Sequence, residues 1–372
     1  MGEIEVKGTG KLGFGLMRLP RTGVMIDIPQ VCEMVDRFME AGFTYYDTAF
    51  IYPGSENAAK KALVERYPRE SYTLATKLYA SVVPLEKAAK AEFETSLNRT
   101  GAGYFDYYLL HTLNARNYKK YEKFHLWDFV REEKEKGRIK HYGFSFHDSP
   151  ELLDLILTEH PDTEFVQLQI NYADWESPTV HSREIYEVAR RHGKPIVVME
   201  PVKGGGLANP PQNIKDIFDS YDPNASYASW AIRFAASLDG ILSVLSGMSN
   251  IAQMEDNLSY MKDFKPLSDE EQKVIQKAQA EYGKLDMVPC TACRYCTEGC
   301  PKKINIPEIF AAVNMRKVGG QIDRSERHYS ETVAGGSSAS DCIKCRQCEQ
   351  HCPQHIQIAD ELERAAKLFE AE

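Results

Sequence analysis

The sequence predicts an α/β chain built as a (β/α)8 TIM barrel followed by a small, mainly helical, cysteine-rich domain. Three observations predict it. Strand-like runs alternate with amphipathic helical stretches eight times between residue 12 and about residue 262, the span of a parallel barrel with right-handed helical crossovers. Composition then changes abruptly at Met287-Val288-Pro289, where cysteine, proline and short helical stretches take over. Eight of the nine cysteines fall after residue 289. The expected domains are 1–284 for the barrel and 285–372 for the cysteine-rich part.

In order, the strand-like runs are LGFGLMRL, FTYYDTA, YTLATKLY, FDYYLLHTL, IKHYGFSF, EFVQLQINY, PIVVMEP and GILSVLSGM. Helix signals such as IPQVCEMVDRFMEAG, SENAAKKALVERY and SPELLDLILTEH stand between them. The ninth cysteine, Cys32, sits in the first of these with Val31, Met34, Val35 and Phe38 at i, i+3, i+4 spacing, so it reads as a small apolar side chain of the core or its edge. A doubly wound sheet is the alternative architecture, and Gly8, Gly10 and Gly13 do spell G-x-G-x-x-G. That fingerprint works only after a strand and at the start of a helix. Here it leads into the first strand-like run and reads as a glycine-rich lead-in. Beyond the barrel pattern, LSDEEQKVIQKAQAEYG reads as a further helix. Residues 317–340, with VGGQ and AGGSSAS, read as an exposed connection between two half-motifs.

Composition excludes several function classes. With 372 residues and 43% hydrophobic side chains the chain can bury a large core. The formal net charge of -9, with no Lys/Arg-rich run, argues against nucleic acid as a partner. The N-terminal Met-Gly-Glu-Ile-Glu-Val-Lys lacks the apolar stretch of a signal peptide, and no apolar run approaches the roughly 20 residues that span a bilayer. The expectation is a cytoplasmic protein with no membrane partner, in which clustered cysteines hold metal rather than form disulfides.

Cys290, Cys293, Cys296 and Cys300 are followed by Pro301, and Cys342, Cys345, Cys348 and Cys352 by Pro353, so CxxCxxCxxxCP occurs twice. In such runs the first three cysteines hold one cluster and the fourth ligates the other. The expected pairing is Cys290, Cys293, Cys296 and Cys352 on one [4Fe-4S] cluster, and Cys342, Cys345, Cys348 and Cys300 on the second. Zinc-thiolate sites are the alternative, although zinc modules seldom use three cysteines at consecutive two-residue gaps ending in Cys-Pro. Each half resembles a bacterial two-cluster ferredoxin, with IPEIFAAVN and IADELERAAKLF as the helices after each motif. So short a region is expected to bury little apolar surface and to lean on thiolate-metal bonds for stability.

Catalytic groups of a parallel barrel sit at the C-terminal ends of its strands. Asp47 ends the second run, Tyr52 lies in the following loop, Lys77 falls at the end of LATK in the third and His111 ends YYLLH in the fourth. An ammonium beside a phenol stabilises the phenolate and brings its proton within useful range, a carboxylate holds and charges the ammonium, and an imidazole can orient a carbonyl oxygen. Taken singly, each residue also has an ordinary structural reading: an ion pair, loop packing, a core histidine. Together, DTAFIYPGSEN, LATK and DYYLLH resemble the aldo-keto reductase family over residues 12–262. The resemblance maps that family's tetrad onto Asp47, Tyr52, Lys77 and His111. It implies hydride transfer between a nicotinamide cofactor and a small-molecule carbonyl or alcohol, with Tyr52 protonating the oxygen.

The same resemblance implies cofactor contacts. GFSFH places Ser145 at the carboxamide, with Phe146 where asparagine is usual, and QINY supplies Gln169 and Asn171. Met199 stands where many members stack a tyrosine on the nicotinamide, and EPVKGGGLA offers Gly204, Gly205 and Gly206 to a pyrophosphate. SGMSNIAQMEDN resembles the adenosine segment, with Ser246, Ser249, Gln253 and Asn257 as neutral donors; Gly247 and Gln253 replace a lysine and an arginine of many NADPH-dependent members. The cofactor is therefore NADP(H) or NAD(H). No flavin-specific motif is present, yet clusters move single electrons while nicotinamide exchanges two, so a flavin or a redox partner protein would be needed to wire the two. The competing function is a redox sensor or electron carrier with little carbonyl turnover. Substrate identity rests on loops that the pattern does not decode.

Overall fold

Every position of Thr73–Leu78 and of Phe105–Leu113 is buried, the signature of parallel strands covered on both faces. The structure is a computed structural model and describes residues 10–318 and 320–370. Gly8 of the lead-in, the N-terminal Met1–Lys7 and Gly319 of VGGQ lie outside the described residues. Eight strands form the barrel: β1 (Leu12–Gly15), β2 (Tyr45–Asp47), β3 (Thr73–Leu78), β4 (Phe105–Leu113), β5 (Ile139–Phe146), β6 (Phe165–Gln169), β7 (Ile196–Met199) and β8 (Ile241–Ser246). They are parallel, each beside its sequence neighbour, and β1 pairs with both β2 and β8 to close the ring. The eightfold alternation is thus a closed barrel, not a doubly wound sheet.

The interior is filled by Tyr45, Tyr107, Leu109, Phe165, Val197 and Leu245 with Ala75. Gly10 and Gly13 have no part in a phosphate loop. Gly13 lies within β1, where a Cβ would come 2.6 Å from Ser243 Oγ, so a small residue is required for the strands to close over the layer of side chains. The strand-like runs overshoot where the chain turns early: LGFGLMRL is strand only to Gly15, then a 3-10 turn over Leu16–Arg18.

Helix α1 (Ile28–Glu40) starts at Asp27, whose side chain accepts the Gln30 N–H at 3.2 Å, and buries Val31, Met34, Val35 and Phe38 at helical spacing. Cys32 is half-buried at the edge of that stripe. The second helix signal gives α2 (Ser55–Ala59), which passes into a π-turn over Lys60–Val64. Helix α3 (Glu86–Thr100) follows β3.

By packing, one unit runs to Pro201 and resumes over Ala228–Asp269, while the second comprises Val202–Tyr227 and the chain from Glu270 onward. In the second unit the two cysteine motifs repeat at the level of the backbone. The shift that takes Cys290 to Cys342 also takes Ala292 to Lys344, Arg294 to Arg346 and Lys303 to His355, and all six non-cysteine residues have positive φ. It likewise takes the short helix Tyr295–Glu298 to Gln347–Gln350 and the long one Ile306–Lys317 to Ile358–Phe369.

Two expectations for this unit need correction. The connection over residues 317–340 is mostly exposed, as expected, yet it carries a helix, Ile322–Val333, that the pattern did not show. Its sparse apolar pattern hid it, yet Tyr329 is only 5% exposed and stacks on Phe369 with ring centroids 4.5 Å apart. One aromatic residue per two turns suffices when it reaches a core already built by others. Nor is the apolar core negligible. Ile304, Ile309, Phe310, Val313, Ile356 and Leu362 form a contiguous buried cluster with Tyr329.

Candidate active site and metal centres

Strands β2, β3 and β4 are neighbours, and their C-terminal ends bring three ionisable side chains into one place. Lys77 Nζ donates to Asp47 Oδ2 at 2.5 Å and to the Thr48 carbonyl at 2.7 Å. The same ammonium lies 5.3 Å from the centre of the Tyr52 ring. His111 meets Tyr52 edge-on with ring centroids 5.9 Å apart and Tyr79 similarly at 5.6 Å. Asp47, Lys77 and His111 are buried, whereas Tyr52 is half-buried. All four residues predicted from sequence are brought together, with the phenol the most accessible.

Burial sets the protonation states. It pulls the Lys77 ammonium below the usual lysine range, an effect opposed by the Asp47 charge, and pushes the Asp47 carboxyl up against the pull of Lys77. Burial, and then the charge of Lys77, hold His111 well below the normal histidine range, so its imidazole is neutral at physiological pH.

The loop carrying Tyr52 is fixed at several points. Thr48 Oγ1 and Ser55 Oγ hydrogen-bond at 2.6 Å, Ser55 Oγ donates to the Leu16 carbonyl at 2.9 Å, and Arg99 donates to the Phe50 carbonyl at 3.0 Å. Arg99 also pairs with the buried Glu56, which accepts from Thr76 Oγ1 at 2.8 Å. A second buried carboxyl, Glu92, accepts the Tyr79 N–H at 2.7 Å. Burial raises it to about 8. The folded state thus holds a proton on Glu92 that the unfolded chain releases near pH 4.5, so this group's contribution to stability is full below about pH 4.5 and falls as pH rises towards 8, by about 1.4 kcal/mol per unit. Glu92→Gln keeps an acceptor for Tyr79 and removes the titration. Thermal denaturation from pH 5 to 9 should show a flatter profile for the variant, which should be the more stable protein at pH 9; parallel profiles would refute the assignment.

The predicted cofactor residues divide into two groups. Ser145, Gln169, Asn171, Ser246 and Asn257 are buried and already engaged. Ser145 Oγ accepts the Thr112 N–H at 2.7 Å. Gln169 and Asn171 both donate to Asp174, at 2.9 and 2.8 Å, and Asn171 also donates to the Glu200 carbonyl at 3.1 Å. Asn257 donates to Ser246 Oγ at 2.6 Å and accepts from Tyr260 at 2.6 Å. In contrast, Met199 is half-buried and Gly247 and Gln253 are exposed. Ser249 donates its hydroxyl to the Arg18 carbonyl at 2.8 Å and its N–H to Gln253 Oε1 at 2.7 Å. These last residues precede or begin the helix Ile251–Met261, capped by Asn250.

Sequence reasoning missed Arg18. Its side chain runs beside Gly247, where an added Cβ would meet Arg18 Cδ at 3.4 Å, and its guanidinium lies 3.4 Å from Glu200 Oε1. The only available signal was its place near the C-terminal end of the first strand-like run. Within the second unit, Gly204 and Gly205 have φ of 65° and 97°. A Cβ on Gly204 would fall 2.4 Å from the Thr291 carbonyl oxygen, so this position combines a left-handed backbone with a close approach that excludes any side chain.

The cysteines assemble across the two motifs. Cys290, Cys293, Cys296 and Cys352 line one cavity together with Thr291 and Phe310. Cys348 lies within electrostatic reach of Cys342 and Cys300. Left-handed residues recur beside the cysteines at Ala292, Arg294, Lys344 and Arg346, the kind of backbone from which anion-holding nests are built, and the Ala292 N–H donates to Cys290 Sγ at 3.4 Å. Burial raises the Cys348 thiol to about 11 and Cys296 further. Both would release a proton on binding metal.

Residues 11–280 match the family model described as "Aldo/keto reductase family", and residues 289–356 match that of the "4Fe-4S dicluster domain". An aldo-keto reductase of Mycolicibacterium smegmatis is 28% identical over 174 residues, 46% of this chain and 59% of that protein. The 9,11-endoperoxide prostaglandin H2 reductase of Trypanosoma cruzi is 24% identical over 267 residues, 70% of this chain and 88% of that protein. The solved structure of an aldo-keto reductase from Klebsiella pneumoniae in complex with NADPH superposes with a TM-score of 0.59 at 19% identity, over 74% of this chain and 95% of that chain, which is a likeness of fold. No described helix is long and apolar enough to cross a membrane.

Proposed function

Since this chain belongs to the aldo/keto reductase family and is an oxidoreductase with an iron-sulfur domain, we propose that its barrel interconverts a small-molecule carbonyl and its alcohol with a nicotinamide dinucleotide. The observation that carries this reading is the placement of Lys77 between the Asp47 carboxylate and the face of Tyr52, with His111 at the edge of the phenol. When bound, the reduced nicotinamide supplies a hydride to the carbonyl carbon. Tyr52 gives its proton to the carbonyl oxygen as negative charge develops there, and the ammonium of Lys77 stabilises the phenolate left behind. His111, neutral because it is buried, donates an N–H to the same oxygen and orients it. In alcohol oxidation Tyr52 takes the proton back.

For the dinucleotide, Gly247, Ser249 and Gln253 stand at a helix N-terminus alongside the Arg18 side chain, whose guanidinium is paired with Glu200, a setting that suits phosphate. The buried amides of Asn171 and Asn257 act there by shaping loops. Arg18 makes NADP(H) the favoured form, in keeping with the NADPH bound by the Klebsiella pneumoniae protein. Gly247→Lys combined with Gln253→Arg should tighten NADPH relative to NADH, by up to roughly tenfold for two added charge-assisted bonds. An unchanged ratio in fluorescence titrations, lost on adding Arg18→Ala, would assign the phosphate to Arg18 alone.

The second unit is proposed to hold two [4Fe-4S] clusters, Cys290, Cys293, Cys296 and Cys352 on one and Cys342, Cys345, Cys348 and Cys300 on the other. The cysteine set and the left-handed residues repeated beside it fit such clusters. The test of the whole reading is steady-state oxidation of NADPH and NADH by anaerobically purified protein with a panel of aldehydes and ketones. Turnover with matching alcohol formation supports it. Tight dinucleotide binding without turnover across the panel would favour a sensor instead.

A further inference from the structure

Immediately after His111 the backbone does something a threonine resists. Thr112 has φ of 60°, and a β-branched residue in the left-handed region is strained unless its surroundings impose that conformation. The pairing of β4 with β5 slips in register between Leu110 and Leu113, so His111 and Thr112 lie in a bulge, the device that re-aims side chains beside active sites. The hydroxyl of Thr112 is buried and makes no hydrogen bond among the described residues, so the side chain gains nothing that would explain the bend.

Three side chains hold that bend, two from the helix Tyr118–Lys123 and its N-cap Asn117 and one from β5. Tyr121 donates to the His111 carbonyl at 2.6 Å while its oxygen accepts the Ala80 N–H at 3.2 Å. Ser145, near the end of β5, accepts the Thr112 N–H at 2.7 Å. Asn117 donates to the Thr112 carbonyl at 2.8 Å and to Ser81 Oγ at 2.9 Å, and its own oxygen accepts the Asn114 N–H at 2.9 Å. Every backbone polar group from the His111 carbonyl to the Thr112 carbonyl is thereby tied to a side chain, and the segments after β3 and β4 are linked through it.

We propose that Asn117, acting with Ser145 and Tyr121, is a positioning residue for His111: the clamp imposes the left-handed bend at Thr112, and the bend sets the imidazole against Tyr52. The hydrogen bonds of Asn117 go to the Thr112 carbonyl, the Asn114 N–H and Ser81 Oγ, so the proposed influence on His111 runs through the backbone. The catalytic consequence rests on the function proposed above, while the geometry of the histidine ring does not.

The test uses the full-length, cluster-loaded protein with isotope-labelled histidine, the His111 ring resonances being assigned by their loss in His111→Gln. Asn117→Ala should move or broaden those resonances and lower kcat roughly tenfold with little change in dinucleotide affinity, as expected for a misplaced group that acts in the transition state. Adding Thr112→Gly should restore most of both, because glycine adopts the left-handed bend without help. Should Asn117→Ala not fold, Asn117→Ser, too short to reach the Thr112 carbonyl, takes its place. Unchanged His111 resonances in the single variant would overturn the proposal, as would a loss of kcat that Thr112→Gly leaves unrepaired. If the wild-type protein turns over no carbonyl, the proposed reaction fails, and the resonances alone still decide the positioning.

Discussion

Tyr52→Phe is expected to remove most carbonyl reduction, roughly a hundredfold or more in kcat, while dinucleotide affinity stays within a few-fold. The phenol is the one tetrad group that is half-buried rather than buried, and so the one a substrate oxygen can reach. The change deletes a single oxygen and leaves the ring, its edge contact with His111 and the ammonium near its face in place. Packing of the loop should survive, since its anchors run through Thr48, Ser55 and Arg99 and none uses the Tyr52 hydroxyl. Anaerobic steady-state kinetics with a dinucleotide titration separates the two effects. Full turnover in the variant would mean that another group supplies the proton.

The second large effect concerns the clusters. Cys352→Ala should damage the cluster whose other ligands are Cys290, Cys293 and Cys296, because those four side chains share one cavity. Cys300→Ala should damage the one held by Cys342, Cys345 and Cys348. Each loss therefore falls in the motif opposite the mutated residue. Iron analysis and electron paramagnetic resonance of the reduced protein distinguish the two preparations. A Cys352→Ala protein that keeps the signal of the first-motif cluster would show that each motif serves its own. Iron removal should loosen residues 290–300 and 342–352 more than the helices Ile306–Lys317 and Ile358–Phe369, since these also pack on one another through Ile309, Phe310 and Leu362. Hydrogen exchange on the chelated protein would read this difference directly.

The barrel was legible because parallel strands such as FDYYLLHTL are apolar at nearly every position, while the helices between them repeat at 3.6 residues. The tetrad was legible because its members end strands or follow them, where a barrel puts its chemistry. The helix Ile322–Val333 was not, because Tyr329 is its one large buried side chain and its value depends on Phe369, forty residues away in the chain. Arg18 was equally hidden. Its place beside Gly247 arises because β1 closes the barrel against β8, a pairing between the two ends of the strand series. The buried amides of Asn171 and Asn257 look alike in sequence whatever they bond to, and their hydrogen bonds to Asp174 and Ser246 come from packing that the pattern does not encode.

The central claim is that the barrel delivers hydride to a carbonyl carbon while Tyr52 delivers the proton. Its most direct test is a single turnover of anaerobically prepared protein with dinucleotide deuterated at C4 of the nicotinamide and an aldehyde from the panel. The alcohol should carry deuterium on the former carbonyl carbon, and Tyr52→Phe should suppress its formation. Oxidation of the dinucleotide with no deuterium in the alcohol, or with electrons appearing only in the iron-sulfur clusters, would contradict the account.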